Sequence, residues 1–224
     1  MRDYPKSKLN RVKRGQKRAT YDVESINGIL DAGFIGHVAY VYEGRALNLP
    51  MAYGRSENKI YLHGSQGNRM FSALLESQEM SMTVMHLDAL VLARSGLHHS
   101  VNYRSATLFG SVKKIESDEE KESALKCFMD HMMKGRWEGI RSMHKAELDR
   151  TLVVEMTIET ASAKIRDVGV ADEPEDYDLD VWAGLVPLKQ VAQYPIADDG
   201  LPKNMDIPNH VLDYYHERKY GETS

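Results

Sequence analysis

Residues 86–105 hold the densest group of polar side chains in the sequence, arranged around an apolar centre. The group comprises His86, Asp88, Arg94, Ser95, His98, His99, Ser100, Asn102, Tyr103, Arg104 and Ser105. Imidazole, guanidinium, amide and hydroxyl groups bind polar ligands through hydrogen bonds. The segment therefore predicts the edge of a ligand pocket. The alternative is a hairpin between two long strands, in which His and Arg side chains bond to turn carbonyls and cross a subunit boundary.

Four residues of this segment have side chains that metals prefer: His86, Asp88, His98 and His99. Imidazole and carboxylate groups suit zinc or iron. However, no HExxH or Cys-x-x-Cys pattern is present to define a coordination geometry. We therefore expect no metal-ion site of this kind.

A second candidate site lies where a predicted strand runs into a predicted helix. Residues 64–68 are small or polar and typical of a turn, and residues 69–75 have a helical pattern. The first turn of a helix presents free backbone N–H groups to an anion, and Arg69 adds a positive charge there. The junction therefore predicts a phosphate site. The alternative is that Arg69 is a solvated residue on the surface of the helix.

The pattern of apolar residues predicts a mostly β protein with peripheral helices. Helices are predicted over 22–32, with Asp22 as its cap, and 118–133, with Ser117 before it. Strands are predicted at 37–42, 46–53, 59–63, 80–92, 103–115 and 152–165, the last with the alternation of a half-buried strand. The spacings are too short for repeated βαβ crossovers, and no Gly-x-Gly-x-x-Gly or Walker loop occurs. We expect a closed or partly closed antiparallel barrel.

The composition favours one soluble domain over residues 1–224. The chain is 42% hydrophobic and 28% charged, and it contains one cysteine, Cys127, which we expect to be a small buried residue in a helix. No apolar run approaches the roughly 20 residues of a membrane span, and the start lacks the apolar core of a signal peptide. We therefore expect a cytoplasmic protein without membrane contact.

The two ends of the chain differ from its centre. Residues 1–18 form a basic arm with eight Lys or Arg residues and one acidic residue, although the whole chain carries a net charge of −4. The arm could contact nucleic acid, cross an acidic partner subunit or remain solvated. We do not expect nucleic acid as a partner, because no binding fold accompanies the arm. Residues 187–224 contain four prolines and predict an extended wrap with a short helix at 210–219.

Several short motifs together resemble one protein family. They are His63-Gly64-Ser65, Arg69-Met70, Leu92-Ala93-Arg94-Ser95, His98-His99-Ser100, Asn102-Tyr103-Arg104-Ser105, Gly135-Arg136-Trp137, Ser162-Ala163-Lys164-Ile165-Arg166 and Trp182-Ala183-Gly184. The chain from about residue 18 to residue 187 resembles the pyridoxamine-5′-phosphate-oxidase-like family, in its nitroimidazole-reductase (Nim-type) branch. The resemblance implies a six-stranded antiparallel split barrel and a homodimer that binds FMN, or sometimes FAD, in a cleft between its subunits.

The resemblance also implies roles for individual residues. Leu49, Pro50, Met51 and Ala52 are expected to line the flavin ring. The flavin phosphate is expected at His63, Gly64, Ser65, Asn68 and Arg69, with His63 as a candidate catalytic residue that touches a small-molecule substrate. Tyr103, Arg104 and Ser105 are expected at the pyrimidine edge, where alternation allows only one or two of them to point. Lys164, Arg166 and Trp182 are expected to reach the flavin of the partner subunit, or else to form a salt-bridged face.

Three functions are consistent with this resemblance. The first is a flavin-dependent oxidoreductase, such as a reductase of nitroaromatic compounds. The second is a haem-binding or haem-degrading protein, with His98, His99 or His210 as candidate axial ligands. The third is a flavin carrier or sensor without enzymatic activity. The tail at residues 217–222 differs from the Trp-, Arg- and His-containing end of true pyridoxamine-phosphate oxidases, so we do not expect vitamin B6 oxidation.

Overall fold

A computed structural model describes residues 2–202 and 204–221 of the chain. Its strands are β1 (Ala19–Thr20), β2 (Ile35–Tyr42), β3 (Arg45–Ala52), β4 (Gly54–Ser56), β5 (Lys59–Ser65), β6 (Glu79–Leu92), β7 (Ser100–Lys114), β8 (Thr151–Arg166) and β9 (Gly184–Pro187). Its α-helices are α1 (Val23–Asp31), α2 (Arg69–Ser77), α3 (Asp118–Met132), α4 (Lys145–Arg150) and α5 (Asn209–Arg218). No helix in these two ranges is long and apolar enough to span a membrane.

All strands pair antiparallel in one sheet with the order β3-β2-β6-β7-β8-β5-β4, while β1 pairs with β8 and β9 pairs with β6. The predicted mostly β, antiparallel architecture with peripheral helices is confirmed. The expected number of six strands is wrong, because the sheet has nine and its pairing does not close into a ring. The strands β1, β4 and β9 contain only two to four residues, too few for an alternating pattern to be recognised.

The helix boundaries follow from side-chain caps that the sequence shows. Asp22 accepts a hydrogen bond from the backbone N–H of Ser25 at the start of α1, and Ser117 accepts one from Glu120 at the start of α3. Each cap satisfies an N–H group that has no partner within the helix. Both helices therefore begin at the predicted residue or one residue later.

The long strands β6, β7 and β8 form the centre of the sheet, and the register between β7 and β8 shifts at Phe109 and Gly110. A Cβ atom at Gly110 would lie 1.8 Å from the carbonyl oxygen of Thr157. Only glycine permits this close approach of two backbones. The bulge therefore depends on the residue type at position 110.

The strand β8 is buried on both faces over its first half, whereas alternation predicted a half-buried strand. Leu152, Val154 and Met156 belong to the main core between the sheet and helices α1 and α2. Val153 instead packs in a second cluster with Leu125 and other residues of α3 and α4. The helices α3 and α4 cover the face of β8 that would otherwise meet solvent.

The helix α3 packs closely on β4 and β5. A Cβ atom at Gly54 would lie 2.4 Å from the Cα atom of Phe128. The ring of Phe128 meets the imidazole of His63 edge to face, with centroids 4.4 Å apart. The Nδ1 atom of His63 is buried there without a hydrogen-bond partner, and burial lowers the pKa of this histidine. The candidate catalytic residue thus lies in a helix interface.

The basic N-terminal arm is packed on its own chain over much of its length. Tyr4 is buried, and the buried side-chain amide of Asn10 donates hydrogen bonds to the carbonyls of Pro5 and Ala161, each at 2.9 Å. Ala19 then pairs with Lys164 in the sheet. The arm is therefore held against β8, although many of its cationic side chains are exposed.

Between β9 and α5, residues 188–202 and 204–208 run over the surface without helix or strand. The predicted short helix is present as Asn209–Arg218, and His210 packs against Gly135 and Gly139. Met1, Lys203 and residues 222–224, which the predicted arm and wrap include, lie outside the described residues.

Replacing Asn10 by alanine is expected to lower the free energy of unfolding by roughly 1–3 kcal/mol, because it leaves a buried backbone carbonyl without its donor. The arm should also become more sensitive to limited proteolysis. Lys13→Ala, an exposed change in the same arm, is the matched control. Equal stability and protease resistance of the Asn10 and Lys13 variants, measured by urea unfolding and digestion, would show that the amide does not anchor the arm.

The protein should lose stability as the pH falls below about 6.5, the ordinary pKa of histidine. Burial lowers the pKa of both His63 and His131 in the folded state. The unfolded chain therefore binds protons first, so the stabilisation is complete above that pH and decreases below it. We expect His63→Leu to flatten the pH dependence of the unfolding midpoint, with His99→Leu on an exposed loop as the control. An unchanged slope in the His63 variant would contradict this assignment.

Candidate functional site

Side chains from five neighbouring strands form one row on the side of the sheet opposite the main core. The register aligns Pro50, His37, Thr83, Thr107 and Ser162 as successive cross-strand partners. Directly opposite residues of antiparallel strands share a face. We call the surface formed by this row and its neighbours on the same side the outer face. Thr83, Thr107 and Ser162 give the row three neighbouring hydroxyl groups.

The N-terminal arm covers the β7–β8 end of the outer face and forms one side of a partly open cavity of about 190 Å³. The cavity is lined by Leu9, Asn10, Arg11, Val12, Ser105, Thr107, Phe109, Ser162 and Lys164. The lining contains two cations, three hydroxyl groups and no carboxylate. Such a lining suits an anionic group with several acceptor oxygens.

The position of Lys164 is set by two neighbouring segments. Its Cα atom pairs with that of Ser105 across the sheet, and the end of its side chain lies beside Gly15 of the arm. No carboxylate among the described residues is within ion-pair distance of Lys164. Its charge is therefore available to a ligand of the cavity.

Arg166 lies farther along β8 and is buried. It donates a hydrogen bond of 2.5 Å to the side-chain oxygen of Asn102, whose own amide donates to the carbonyl of Val168. Burial, and then the positive charge of Arg18, lower the pKa of Arg166. The arm thus brings a further cation to this end of β8. Within this chain, Arg166 holds the end of the strand in place.

The three residues expected at the flavin pyrimidine edge face two ways. Tyr103 and Ser105 lie on the outer face, whereas Arg104 points to the other side and forms an ion pair with Asp88 at 3.0 Å. This outcome agrees with the expectation that alternation would allow only one or two of them on one side. The same alternation places the residues predicted to contact the flavin ring on two opposite sides of the sheet. Pro50 and Ala52 lie on the outer face, while Met51 packs against the core.

The residues of the predicted phosphate site also separate into two groups. Asn68 accepts a hydrogen bond from Met70 and caps α2, and its own N–H donates to the carbonyl of Ser65. The guanidinium of Arg69 lies 5.3 Å from the ring centre of Tyr42, in a shallow depression. His63 points instead toward α3, as described above, and Gly64 packs against Phe71. The structure therefore keeps Ser65, Asn68 and Arg69 near one helix end but separates His63 from them.

The polar residues at 93–99 hold a neighbouring loop. Arg94 donates to the carboxylate of Asp172 from its backbone and from its guanidinium, and it lies over the ring of Tyr177. His98 is 3.4 Å from Glu173, and His99 contacts the carbonyl of Ser95. These contacts match the alternative to a ligand pocket, in which the His and Arg side chains of this segment bond to other parts of the protein. No group of three or more His, Cys, Asp or Glu side chains in residues 2–202 and 204–221 is arranged to hold a metal ion.

Trp182 and His37 are also exposed at the surface. Trp182 is exposed, and its indole lies over Gly184 at the start of β9. His37, which the sequence analysis did not single out, lies near the centre of the outer face. No sequence signal indicated it, because residues 35–42 are apolar on both faces of β2.

Comparison with known proteins agrees with this architecture. The profile of the pyridoxamine 5′-phosphate oxidase family matches residues 22–165. The structure of the flavocytochrome Anf3 from Azotobacter vinelandii is 34% identical, with a TM-score of 0.88 over 93% of this chain and 97% of that one. The structure of an FAD- and haem-binding protein from Mycobacterium smegmatis is 30% identical, with a TM-score of 0.84 over 88% and 97%.

A more distant similarity concerns the fold alone. A protein from Bacteroides thetaiotaomicron named for 5-nitroimidazole antibiotic resistance is 23% identical, with a TM-score of 0.58 over 66% of this chain and 86% of that one. No curated protein sequence matches the chain. The family profile covers well over half of the sequence, and the two larger similarities extend over nearly all of it. The chain therefore belongs to the pyridoxamine 5′-phosphate oxidase family.

Proposed function

We propose that this chain is a redox protein that binds a flavin nucleotide and haem. One observation carries the proposal: two proteins that resemble it over nearly their whole length, at 34% and 30% identity, are named as a flavocytochrome and as an FAD- and haem-binding protein. The haem alternative of the sequence analysis and its flavin hypothesis thus become parts of one proposal. We favour FAD over the expected FMN because one of these two relatives is named for FAD.

The lining of the cavity beneath the arm supports the choice of a ligand with phosphate groups. Arg11 and Lys164 place two positive charges at its wall, and Ser105, Thr107 and Ser162 add hydroxyl donors. Either the phosphate monoester of FMN or the diphosphate diester of FAD carries about two negative charges at neutral pH and would gain from paired cations. We propose that this cavity receives phosphate oxygens of the flavin nucleotide.

The flavin ring requires a flat, largely apolar surface with donors at one edge. Pro50 and Ala52 provide such a surface on β3, and Tyr103 and Ser105 lie farther across the same face. Met51 and Arg104 do not belong to this proposal, because the first packs in the core and the second pairs with Asp88. A bound flavin would supply hydride or electron transfer, while the chain binds it, orients it and excludes water.

A homodimer is part of the proposal. Ile35, Met85 and Leu87 are large apolar side chains exposed on the outer face, and Trp182 and Ile196 are exposed on the C-terminal segment. Contiguous exposed apolar surface of this kind commonly marks a protein interface. A second copy would cover this apolar surface. The dimer would then bring Arg69, Ser65 and Asn68 of one subunit to a shared cleft with Trp182 and Lys164 of the other.

The oxidoreductase activity, its small-molecule substrate and its electron donor belong to the same proposal. The similarity to the nitroimidazole-resistance protein concerns the fold, so it does not favour nitro compounds as substrates. The sequence contains no dinucleotide-binding glycine motif, which favours transient contact with any reduced nicotinamide donor.

The proposal is tested by the visible spectrum of the freshly purified protein, followed by release and mass analysis of its chromophores. We expect a Soret band together with flavin absorption, and the mass of FAD. Flavin without haem, even after reconstitution with hemin, would remove haem from the proposal. A protein that binds neither chromophore would refute it.

Lys164→Ala and Arg11→Ala should each weaken FAD binding by roughly 1.5–3 kcal/mol, the range for a hydrogen bond to a charged group. The affinity is measured from the quenching of flavin fluorescence on titration of the flavin-free protein. Lys134→Ala, which removes an exposed cation elsewhere, is the control. If the Lys164 and Arg11 variants bind FAD like the control, the cavity does not hold the phosphates.

Arg69→Ala tests whether the start of α2 also contributes to the binding of the flavin phosphate. If the flavin phosphate lies at the start of α2, the variant should weaken binding by roughly 1.5–3 kcal/mol, since a charged hydrogen bond is lost. We expect this loss of affinity in addition to that caused by Lys164→Ala, because the proposed cleft is built from both subunits. Unchanged affinity for both FMN and FAD would remove Arg69 from the site.

A further inference from the structure

The cations of the N-terminal arm have no counter-ion within their own chain. The eight Lys and Arg residues of the arm are all exposed, and none of them pairs with a carboxylate in the described part of the chain. Like charges on one surface repel one another, so a partner with negative charge would stabilise this arrangement.

Three of these cations lie beside Lys164. Lys13, Arg14 and Lys17 are within two residues of Gly15 in the chain. A Cβ atom at Gly15 would lie 3.7 Å from the amino nitrogen of Lys164, so this turn of the arm passes next to that side chain. The arm is anchored to β8 before and after the turn. The three cations are therefore held at the place where Lys164 meets the proposed cleft.

The shallow depression around Arg69 carries the complementary charge. It has a volume of about 410 Å³, and its lining includes Tyr42, Glu43 and Glu76. Glu43 lies in the turn between β2 and β3, and Glu76 lies in the last turn of α2. Both carboxylates are exposed, and neither has an ion-pair partner among the residues that the structure describes.

The arm and the depression are far apart within one subunit. The helix α2 packs on the core side of the sheet through Met70, Phe71 and Leu74, whereas the arm lines the cavity on the outer face. The proposed dimer brings the two surfaces together, because it places Lys164 of one subunit and Arg69 of the other at a shared cleft. Such a cleft collects cations from both subunits, and nearby carboxylates would offset part of that charge.

We propose that the arm of each subunit docks in the depression of the partner subunit. Lys13, Arg14 and Lys17 supply the cations of this contact. Glu43 and Glu76 of the partner subunit supply its carboxylates. The inference rests on the homodimer of the proposed function and names a contact that closes its shared cleft. A two-fold dimer contains the contact twice, so each subunit both gives and receives an arm.

A nucleic acid fits the arm less well than a second copy does. Tyr4 is buried, and Lys6 lies over the ring of Tyr21 at 4.7 Å. Within its described residues, the arm presents no free aromatic ring for base stacking. The chain carries a net charge of −4 despite its basic arm, so the rest of the surface repels a long polyanion.

The first test reverses the charges on each side of the contact. The variants are Lys13→Glu/Arg14→Glu, Glu43→Lys/Glu76→Lys and the combination of all four changes. Analytical ultracentrifugation of the purified protein over a dilution series gives the dimer dissociation constant. We expect each double variant to raise this constant roughly tenfold or more at low salt, because like charges then face each other. The combined variant should restore it, since opposite charges meet again.

Two controls make the same change of charge outside the contact. Lys134→Glu/Arg150→Glu reverses two exposed cations, and Glu175→Lys/Asp178→Lys reverses two exposed carboxylates. Both should keep the wild-type dissociation constant, and circular dichroism checks that every variant folds. In about 1 M salt, which screens charges beyond roughly 3 Å, the arm variant and the wild type should converge.

A cross-linking test measures proximity without requiring the dimer to dissociate. The chain carries Lys13→Cys and Glu43→Cys in a Cys127→Ala background and is treated with a short bis-maleimide. We expect a covalent dimer on a denaturing gel, whereas each single-cysteine variant should remain monomeric there. Lys134→Cys with Glu43→Cys is the control pair.

The outcomes separate the inference from the proposed function. A wild-type dimer that is unaffected by the charge reversals and not linked through the cysteine pair would overturn the arm contact while the homodimer stands. Rescue of the arm variant by Glu175→Lys/Asp178→Lys alone, or an arm-dependent binding of a labelled oligonucleotide with an unchanged dimer, would also overturn it. A wild-type protein that stays monomeric with and without FAD would remove the homodimer from the proposed function, and the inference with it.

Discussion

The register between β7 and its two neighbours is the constraint on which the rest of the structure depends. A shift of one residue would exchange the two faces of the sheet, because side chains alternate along a strand. In the observed register, Ala106 and Leu108 enter the core, while Ser105 and Thr107 face outward. The register with β8 shifts at the bulge beside Gly110, where glycine permits the close approach to Thr157. The composition of the outer face, and any site on it, follows from that alignment.

The N-terminal arm shows how charge and packing act together. Its cations would repel one another along an unattached tail, but Asn10 and β1 hold them against β8. Arg11 and Lys164 consequently line one cavity, with Arg18 close to Arg166. An anion of suitable size would relieve this repulsion. In the structure the arm forms one wall of the candidate site, a position that the sequence alone did not indicate.

Two groups of polar residues with similar composition have different roles. At 93–99, Arg94, His98 and His99 already have partners in their own chain, as Arg94 has in Asp172. On the outer face, Lys164 and His37 have no such partner among the described residues. Residue type alone does not separate the two groups, since both contain histidines and cations. The presence or absence of an internal partner is what distinguishes the two groups.

The sequence by itself determined the class of the fold, the positions of most strands and the caps of α1 and α3. These features depend on local alternation and on side chains that bond to the nearest backbone groups, so neighbouring residues are sufficient to predict them. The resemblance to the family was likewise carried by short motifs, and the family profile confirms it. Only the tertiary structure decided that His63 lies beneath α3, that the arm covers β8 and that His37 is exposed near the centre of the outer face. These relations join residues far apart in the chain, and they depend on strand order, register and packing, which local patterns do not specify.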